Sequence, residues 1–160
     1  MSEDLHVYAS RGARALVLLH DEHLRQCVAV WKQAKASDVV LRISDNENYR
    51  SLDTLLQHIL SAARGYMVSI CRILELPDPQ IDPVPDVQQF WAEVDHYLEH
   101  LLKRWQLPLV NVPDEQMEPP EELYFAGMPY WIDAMLEHAV MHSIRHEFQL
   151  RELIKQQARS

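Results

Sequence analysis

The sequence predicts an all-α protein: a four-helix bundle with a long loop before the last helix. Only three of the 160 residues are glycine, and clusters of β-branched residues are sparse, so the chain has few ways to build strands and tight turns. Apolar residues recur every three or four positions in four long segments, which is the period of an amphipathic helix. The length suits one domain, residues 1–160, with a sizeable core.

The first helix is predicted from Val7 to Lys35, and its inward stripe carries one histidine. His20 lies on this stripe, whereas His23 lies toward its edge. A single inward histidine is more typical of a core residue with one hydrogen bond than of a metal ligand. We therefore treat His20 as a candidate for lining a pocket. The stripe consists of Ala13, Val17, His20, Leu24, Cys27 and Trp31.

The second helix is predicted to begin after the N-cap residue Ser51 and to end near Leu76, following a polar loop over Ser37–Arg50. His58 lies at the border of its apolar face, about 90° from the centre, so geometry alone does not decide whether it points inward. Tyr66 lies on that face and is a second candidate for lining a pocket, although it also suits an ordinary core position. The face gathers Leu52, Leu55, Ile59, Ala62, Tyr66, Ile70 and Ile73.

The third helix is predicted from Val87 to Trp105, after a connection, Pro77–Asp86, whose four prolines exclude a continuous helix. Two of its histidines, His96 and His100, are four residues apart but point nearly opposite to the apolar stripe. We therefore predict that both are surface residues. The stripe consists of Val87, Phe90, Trp91, Val94, Leu98, Leu101 and Trp105.

The last helix follows a loop, Gln106–Gly127, that is longer than a tight bundle connection needs. Pro129 fits the first turn of this helix, which is predicted to end near Gln156. The inward stripe of the helix is apolar at first and becomes polar in the second half. The stripe consists of Met128, Ile132, Met135, Ala139, His142, His146, Gln149 and Leu153.

Three histidines lie four residues apart in this last helix. His142 and His146 lie within about 30° of the centre of the stripe, whereas His138 is about 70° away and flanks it. Burying two imidazoles costs free energy unless their nitrogens find partners. A bound cation would supply a partner to both, and the alternative is a pair of core histidines that hydrogen-bond to carboxylates, carbonyls or water. A metal site would need a third ligand.

Composition and charge exclude several classes of protein. The formal net charge of −9 and the lack of clustered Lys and Arg argue against nucleic-acid binding. The N-terminus lacks the basic-then-apolar order of a signal peptide, and no apolar run has the length to cross a bilayer, so we expect a cytoplasmic protein that does not contact membranes. Cys27 and Cys71 lie within helical segments, which favours buried free thiols over a disulfide.

The chain resembles the DinB/YfiT-like superfamily of four-helix-bundle proteins over essentially its whole length. The segment LLQHIL, which contains His58, is similar to the histidine-bearing part of the family's second helix. The segment HSIRHEFQL is similar to the family's closing H-x-x-x-H-x-x-Q pattern, which falls on His142, His146 and Gln149. The preceding FAGMPYW resembles the segment that leads into that helix.

This resemblance implies a homodimer in which three histidines hold a divalent ion such as zinc or nickel. The ligands here would be His58, His142 and His146. Some members of the family transfer or rearrange groups with the help of low-molecular-weight thiols such as bacillithiol or mycothiol, and others have no known activity. Many relatives carry a further histidine where this chain has Arg145, a difference expected to change what the site binds without removing a ligand.

Two functions follow as hypotheses. Three neutral imidazoles leave a bound ion dipositive with an open position, which predicts a metal-dependent enzyme acting on a small molecule: a thiol-dependent transferase or a hydrolase. Gln149 would orient an imidazole or contact the substrate, and Arg145 would pair with a substrate carboxylate. The alternative is a non-catalytic, dimeric binding or stress-response protein whose histidines are structural.

Overall fold

The structure, a computed structural model, describes residues 7–117 and 131–160 together with the strand segments 124–125 and 128–129. Within these residues the chain forms four α-helices: α1 (Arg11–Ala36), α2 (Leu52–Ile73), α3 (Phe90–Trp105) and α4 (Ile132–Ala158). Single 3-10 turns lie at Glu47–Tyr49, Val87–Gln89 and Asp114–Gln116. A minimal antiparallel pair joins β1 (Tyr124–Phe125) to β2 (Met128–Pro129). The predicted all-α fold is confirmed.

Helices α1 and α4 run parallel. His23 in the first half of α1 lies 4.0 Å from a carboxylate oxygen of Glu147 in α4. Further along both helices, the side chain of Gln157 donates a hydrogen bond to the carbonyl oxygen of Ser37, just beyond the end of α1. Because the later position in or after α1 contacts the later position in α4, the two helices run in the same direction.

Helix α3 runs antiparallel to α1. Arg25 pairs with Glu99, and about two turns further along α1, Lys32 pairs with the earlier residue Asp95. These four side chains are exposed or half-buried, so the ion pairs fix the alignment of the helices more than they add to stability. The long connections before α3 and α4 allow this order of directions: α1 and α4 one way, α2 and α3 the other.

The N-caps set where the first two helices begin. The Ser10 hydroxyl accepts a hydrogen bond from the Ala13 amide, so α1 begins at Arg11 and not at the predicted Val7. Ser51 forms a capping box with Thr54, which confirms Ser51 as the N-cap of α2. Helix α2 ends three residues before the predicted Leu76.

The start of α4 differs from its prediction. Pro129 does not occupy the first turn of the helix, because it lies in β2 and pairs with Tyr124. Met128 lies in the same strand, so neither residue belongs to the helical stripe. Residues 118–123, 126–127 and 130 lie outside the described residues, and with them part of the predicted loop and part of the FAGMPYW segment.

The core lies between the four helices and contains two buried tryptophans. The indole N–H of Trp31 donates to the carbonyl oxygen of Leu52, and that of Trp105 donates to the carbonyl oxygen of Ala63. Trp91, predicted to point inward, is 64% exposed. Phe90 takes the interior position at this turn, since it is fully buried and packs edge-on against Trp31.

The cysteines behave as predicted. Cys27 and Cys71 are buried free thiols. Burial raises the pKa of the Cys27 thiol to about 12 and that of Cys71 to about 11, so both are protonated at neutral pH. Among the helices of the described residues, none combines the length and apolar character that crossing a membrane requires.

Candidate metal centre

The antiparallel packing of α2 against α4 brings three histidines together. The Nε2 atoms of His58 and His142 are 3.1 Å apart. One ring nitrogen of each of His58, His142 and His146 lies within 4.8 Å of the corresponding atoms of the other two. The three ring centroids are separated by 4.6 Å to 5.5 Å. Within the described residues this is the one such group of potential metal ligands.

These separations suit a single cation. A zinc ion binds imidazole nitrogen at about 2.1 Å, so two nitrogens at a tetrahedral angle are about 3.4 Å apart. The 3.1 Å between His58 and His142 is close to this value. The widest pair, at up to 4.8 Å, has to close by at most about 1.4 Å, which side-chain rotations would achieve. The group therefore can hold one metal ion.

Burial keeps the two α4 histidines neutral. His142 is 9% exposed and His146 is fully buried, which confirms that both point inward. Burial lowers the pKa of His142 to about 3 and that of His146 to about 4, and the positive Arg145 nearby adds to both shifts. The pKa of the half-buried His58 is lowered for the same two reasons. Neutral imidazoles have a free lone pair, which is the form that binds a metal.

Gln149 orients one of the three rings. Its Oε1 atom is 3.0 Å from Nδ1 of His146. Because an amide oxygen only accepts hydrogen bonds, this contact places the proton of His146 on Nδ1 and leaves the lone pair on Nε2. The side chain of Gln149 is exposed, although its position on the helical stripe predicted that it would be buried. It reaches the imidazole because residues three apart are neighbours along a helix.

Arg145 lies at the solvent side of the cluster. Its side chain is exposed, and Nη2 is 3.4 Å from Nε2 of His146. At this distance the guanidinium makes at most a weak hydrogen bond with the imidazole lone pair. Arg145 therefore lies beside the cluster and adds a positive charge next to His146.

The two predicted pocket residues, His20 and Tyr66, are both buried. His20 is fully buried and stacks on the indole of Trp105, with 3.7 Å between ring centroids and an angle of 11°. Neither of its ring nitrogens has a hydrogen-bond partner among the described residues, so the expected single hydrogen bond is absent there. Tyr66 is buried on α2, and its ring centroid is 5.5 Å from that of the exposed His138. The position of His138 outside the buried stripe is thus confirmed.

The two histidines of α3 differ in how far they are exposed. His96 is exposed, as predicted. His100 is half-buried, which corrects its assignment to the open surface. Its Nε2 accepts a hydrogen bond of 3.0 Å from the backbone amide of Asp82 in the proline-rich connection. The connection folds over this end of α3 and partly covers a face that periodicity alone exposes.

One aromatic neighbour of the cluster was missed by sequence reasoning. Tyr49, in the 3-10 turn before α2, has its ring centroid 6.1 Å from that of His146. The contact joins residues almost a hundred positions apart, and the surrounding polar loop has no periodicity from which a facing direction follows. No local signal identified it.

Comparisons with known proteins identified no relative of this chain. No family model matches the chain, and the searches of curated proteins and of solved structures each gave no match. The resemblance to the DinB/YfiT-like superfamily therefore stays a prediction. The metal centre rests on the distances, burial and hydrogen bonds described above.

Proposed function

We propose that this chain is a divalent-metal enzyme in which His58, His142 and His146 hold the ion, with zinc or nickel the best suited. The convergence of three neutral imidazoles, two of them with Nε2 atoms 3.1 Å apart, supports this proposal. Imidazole nitrogen suits both ions. Three neutral ligands leave the charge of the ion uncompensated and leave room for a further ligand, as catalytic zinc sites do.

The reaction we favour is transfer of a group to or from a low-molecular-weight thiol such as bacillithiol or mycothiol, with hydrolysis of a small molecule as the close variant. When bound, a divalent ion would act as a Lewis acid that makes a thiol or a water more acidic and so a better nucleophile. Membership of the DinB/YfiT-like superfamily, on the segments containing His58 and His142, is part of this proposal.

The chain's own residues orient the ligands and the substrate. Gln149 holds the proton of His146 on Nδ1, so that the lone pair on Nε2 can bind a metal ion. Arg145, exposed beside the cluster, is the group that would attract a substrate carboxylate. Tyr66 and His20 stay candidates for lining the substrate pocket: Tyr66 is buried beside His138, and His20 is buried against Trp105.

Elemental analysis of the untagged protein tests the proposal. We expect about one equivalent of zinc or nickel in the wild type and a sharp loss in His58→Ala, His142→Ala and His146→Ala. His96→Ala is the matched control, because His96 is exposed and belongs to the α3 pair that has the same spacing. It should keep the full metal content.

Absence of metal from the wild type, even after incubation with excess ion, would contradict the proposal. It would leave a non-catalytic helical bundle, monomeric or dimeric, whose buried histidines are structural. Metal in the wild type that survives all three substitutions would place the ion at another site. A positive result justifies screening thiol-dependent transfer reactions on small electrophiles and testing each variant for loss of activity.

A further inference from the structure

A cleft of about 470 Å³ opens beside the metal centre, between the loop that precedes α2 and the C-terminal half of α4. This volume lies within the range of small-molecule binding sites in proteins. Its walls are mostly apolar, and its polar groups are few. The apolar side chains that line it are Leu41, Ile43, Tyr49, Leu55, Phe148, Leu150 and Leu153.

Two of these apolar side chains are exposed to water. Phe148 is 65% exposed, and Ile43 is exposed completely. Exposed apolar surface that lines a concave site gains free energy when a ligand covers it. Tyr49 and Phe148 contribute aromatic rings to the cleft, which favours a flat, aromatic occupant.

The cleft carries one uncompensated positive charge. Arg42 lines it and is exposed, and it forms no ion pair among the described residues. Glu152, also in the lining, pairs with Lys155 at 3.2 Å. The charge available to a ligand is therefore that of a single guanidinium, on a chain whose formal net charge is −9. A ligand with one negative charge is matched here, whereas one with several would be repelled by the rest of the chain.

The cleft shares residues with the surroundings of His146. Gln149, whose amide oxygen accepts from Nδ1 of His146, lines the cleft. Tyr49 lines it too and lies beside the same imidazole. None of the three clustered histidines is among its lining residues. A ligand in the cleft would thus contact Gln149, next to Nδ1 of His146. It would not contact the three histidines themselves.

We propose that this cleft binds a small aromatic molecule with one anionic group. The apolar body would lie between Tyr49 and Phe148, and the anion would pair with Arg42. Binding in the cleft requires no metal, so this proposal can be tested independently of the function proposed above. Such a ligand would be held against Gln149, the residue that orients a metal ligand.

Fluorescence titration with 1-anilinonaphthalene-8-sulfonate tests the proposal, since this probe joins an aromatic body to a single sulfonate. We expect saturable binding to one site on the wild type. Phe148→Ser should weaken it by about tenfold or more, because an apolar wall is lost. Met141→Ser is the matched control: Met141 is 56% exposed on the same helix and does not line the cleft, so this variant should bind as the wild type does.

The charge is tested with a neutral analogue. Arg42→Gln should weaken the sulfonate probe several-fold and reduce the salt dependence of its binding. N-phenyl-1-naphthylamine, which lacks the sulfonate, should bind the wild type and Arg42→Gln equally. Equal binding of the sulfonate probe to both proteins would overturn the assignment of Arg42 as the anion partner.

Three outcomes would contradict the proposal that the cleft is a binding site: no saturable binding of the probe, an equal loss of probe affinity in Phe148→Ser and Met141→Ser, or a self-association surface at this position. Sedimentation of the wild type beside Phe148→Ser detects the last, as a dimer that dissociates in the variant. His142→Ala should lose the metal but bind the probe as the wild type does, whereas Phe148→Ser should keep the metal but bind the probe about tenfold more weakly or worse. These two variants separate failure of the cleft from failure of the metal centre.

Discussion

Two helices of this protein carry the same H-x-x-x-H spacing, and they use it differently. In α4, His142 and His146 are buried and face a third imidazole on α2. In α3, His96 is exposed, and His100 is half-buried with a backbone amide as its partner. The spacing aligns two imidazoles in both helices, but only in α4 do they meet another potential ligand.

The difference lies in what stands opposite each pair. His58 on α2 is opposite the α4 pair, and a cation would bind the ring nitrogens that face one another there. The proline-rich connection is opposite the α3 pair, and its Asp82 amide already satisfies Nε2 of His100. The chain itself therefore supplies a partner for His100, whereas the α4 histidines meet a third imidazole with which they could hold a metal ion.

Breaking the α4 pair should have the largest effect. With zinc at about 1,000 times its Kd, binding should raise the free energy of unfolding by roughly 4 kcal/mol. For a chain of this length that corresponds to an increase in melting temperature of about 8–16 °C. His146→Ala removes a ligand and should abolish the increase, measured by thermal denaturation with and without zinc.

The control for this prediction comes from α3. His96→Ala should retain the full zinc-dependent increase, because His96 is exposed and remote in sequence from the cluster. If both variants lose the increase, zinc acts nonspecifically on surface histidines, and the contrast between the two helices fails.

The periodicity of the sequence predicted which faces of the helices are buried, and hence most of the cluster. His142 and His146 point inward as their positions on the stripe required, and His58 lies at the half-buried border where its angle placed it. These predictions succeeded because a helix repeats every 3.6 residues, so burial follows from a count along the chain.

Contacts between elements distant in sequence could not be predicted in this way. Trp91 is exposed because its neighbour Phe90 takes the interior position, a competition that a stripe drawn by angle does not resolve. His100 gains its partner, and Tyr49 its place beside His146, from loops without periodicity. Pro129 suited a helix start but joins a strand pair, because a residue compatible with one local structure is not excluded from another.

His20 is buried, as the α4 pair is, but its ring nitrogens have no hydrogen-bond partner among the described residues. Burial lowers its pKa to about 3, below the ordinary value of 6.5. The unfolded chain therefore binds the proton more tightly, and stability is complete above about pH 6.5 and falls as the pH drops toward 3. This residue alone should reduce the free energy of unfolding by about 3 kcal/mol between pH 7 and pH 4.

Replacing His20 by Phe keeps a ring against Trp105 and removes the proton. Urea denaturation at several pH values should show a shallower loss of stability on acidification for His20→Phe than for the wild type. The variant should also be at least as stable at pH 7, because it buries no unpaired polar atom. Parallel pH profiles for the two proteins would show that His20 is hydrogen-bonded in solution, for instance to a buried water.

Gln149 provides a test of orientation within the α4 pair. Gln149→Leu removes the acceptor of the Nδ1–H bond of His146 and should lower zinc affinity by about 10- to 100-fold, the usual effect of losing such a partner. Gln149→Glu keeps an acceptor at the same position and should restore most of the affinity. Competition titrations with a chelating dye measure both. Equal losses in Leu and Glu variants would mean that the amide acts by some means other than holding the imidazole.

Substitutions in α3 should have the smallest effect on stability, because the imidazole of His100 is hydrogen-bonded to a backbone amide of the chain and not to a bound ion. His100→Ala leaves the amide of Asp82 without its acceptor, but this amide lies at the surface and water can replace the imidazole. The loss in the free energy of unfolding should be about 1 kcal/mol, typical of one hydrogen bond, whereas His96→Ala should change it by less than about 0.5 kcal/mol. Both variants should show the same zinc-dependent stabilisation as the wild type. A reduced response in His100→Ala would mean that the α3 pair also binds the ion, and that spacing without a facing ligand is enough.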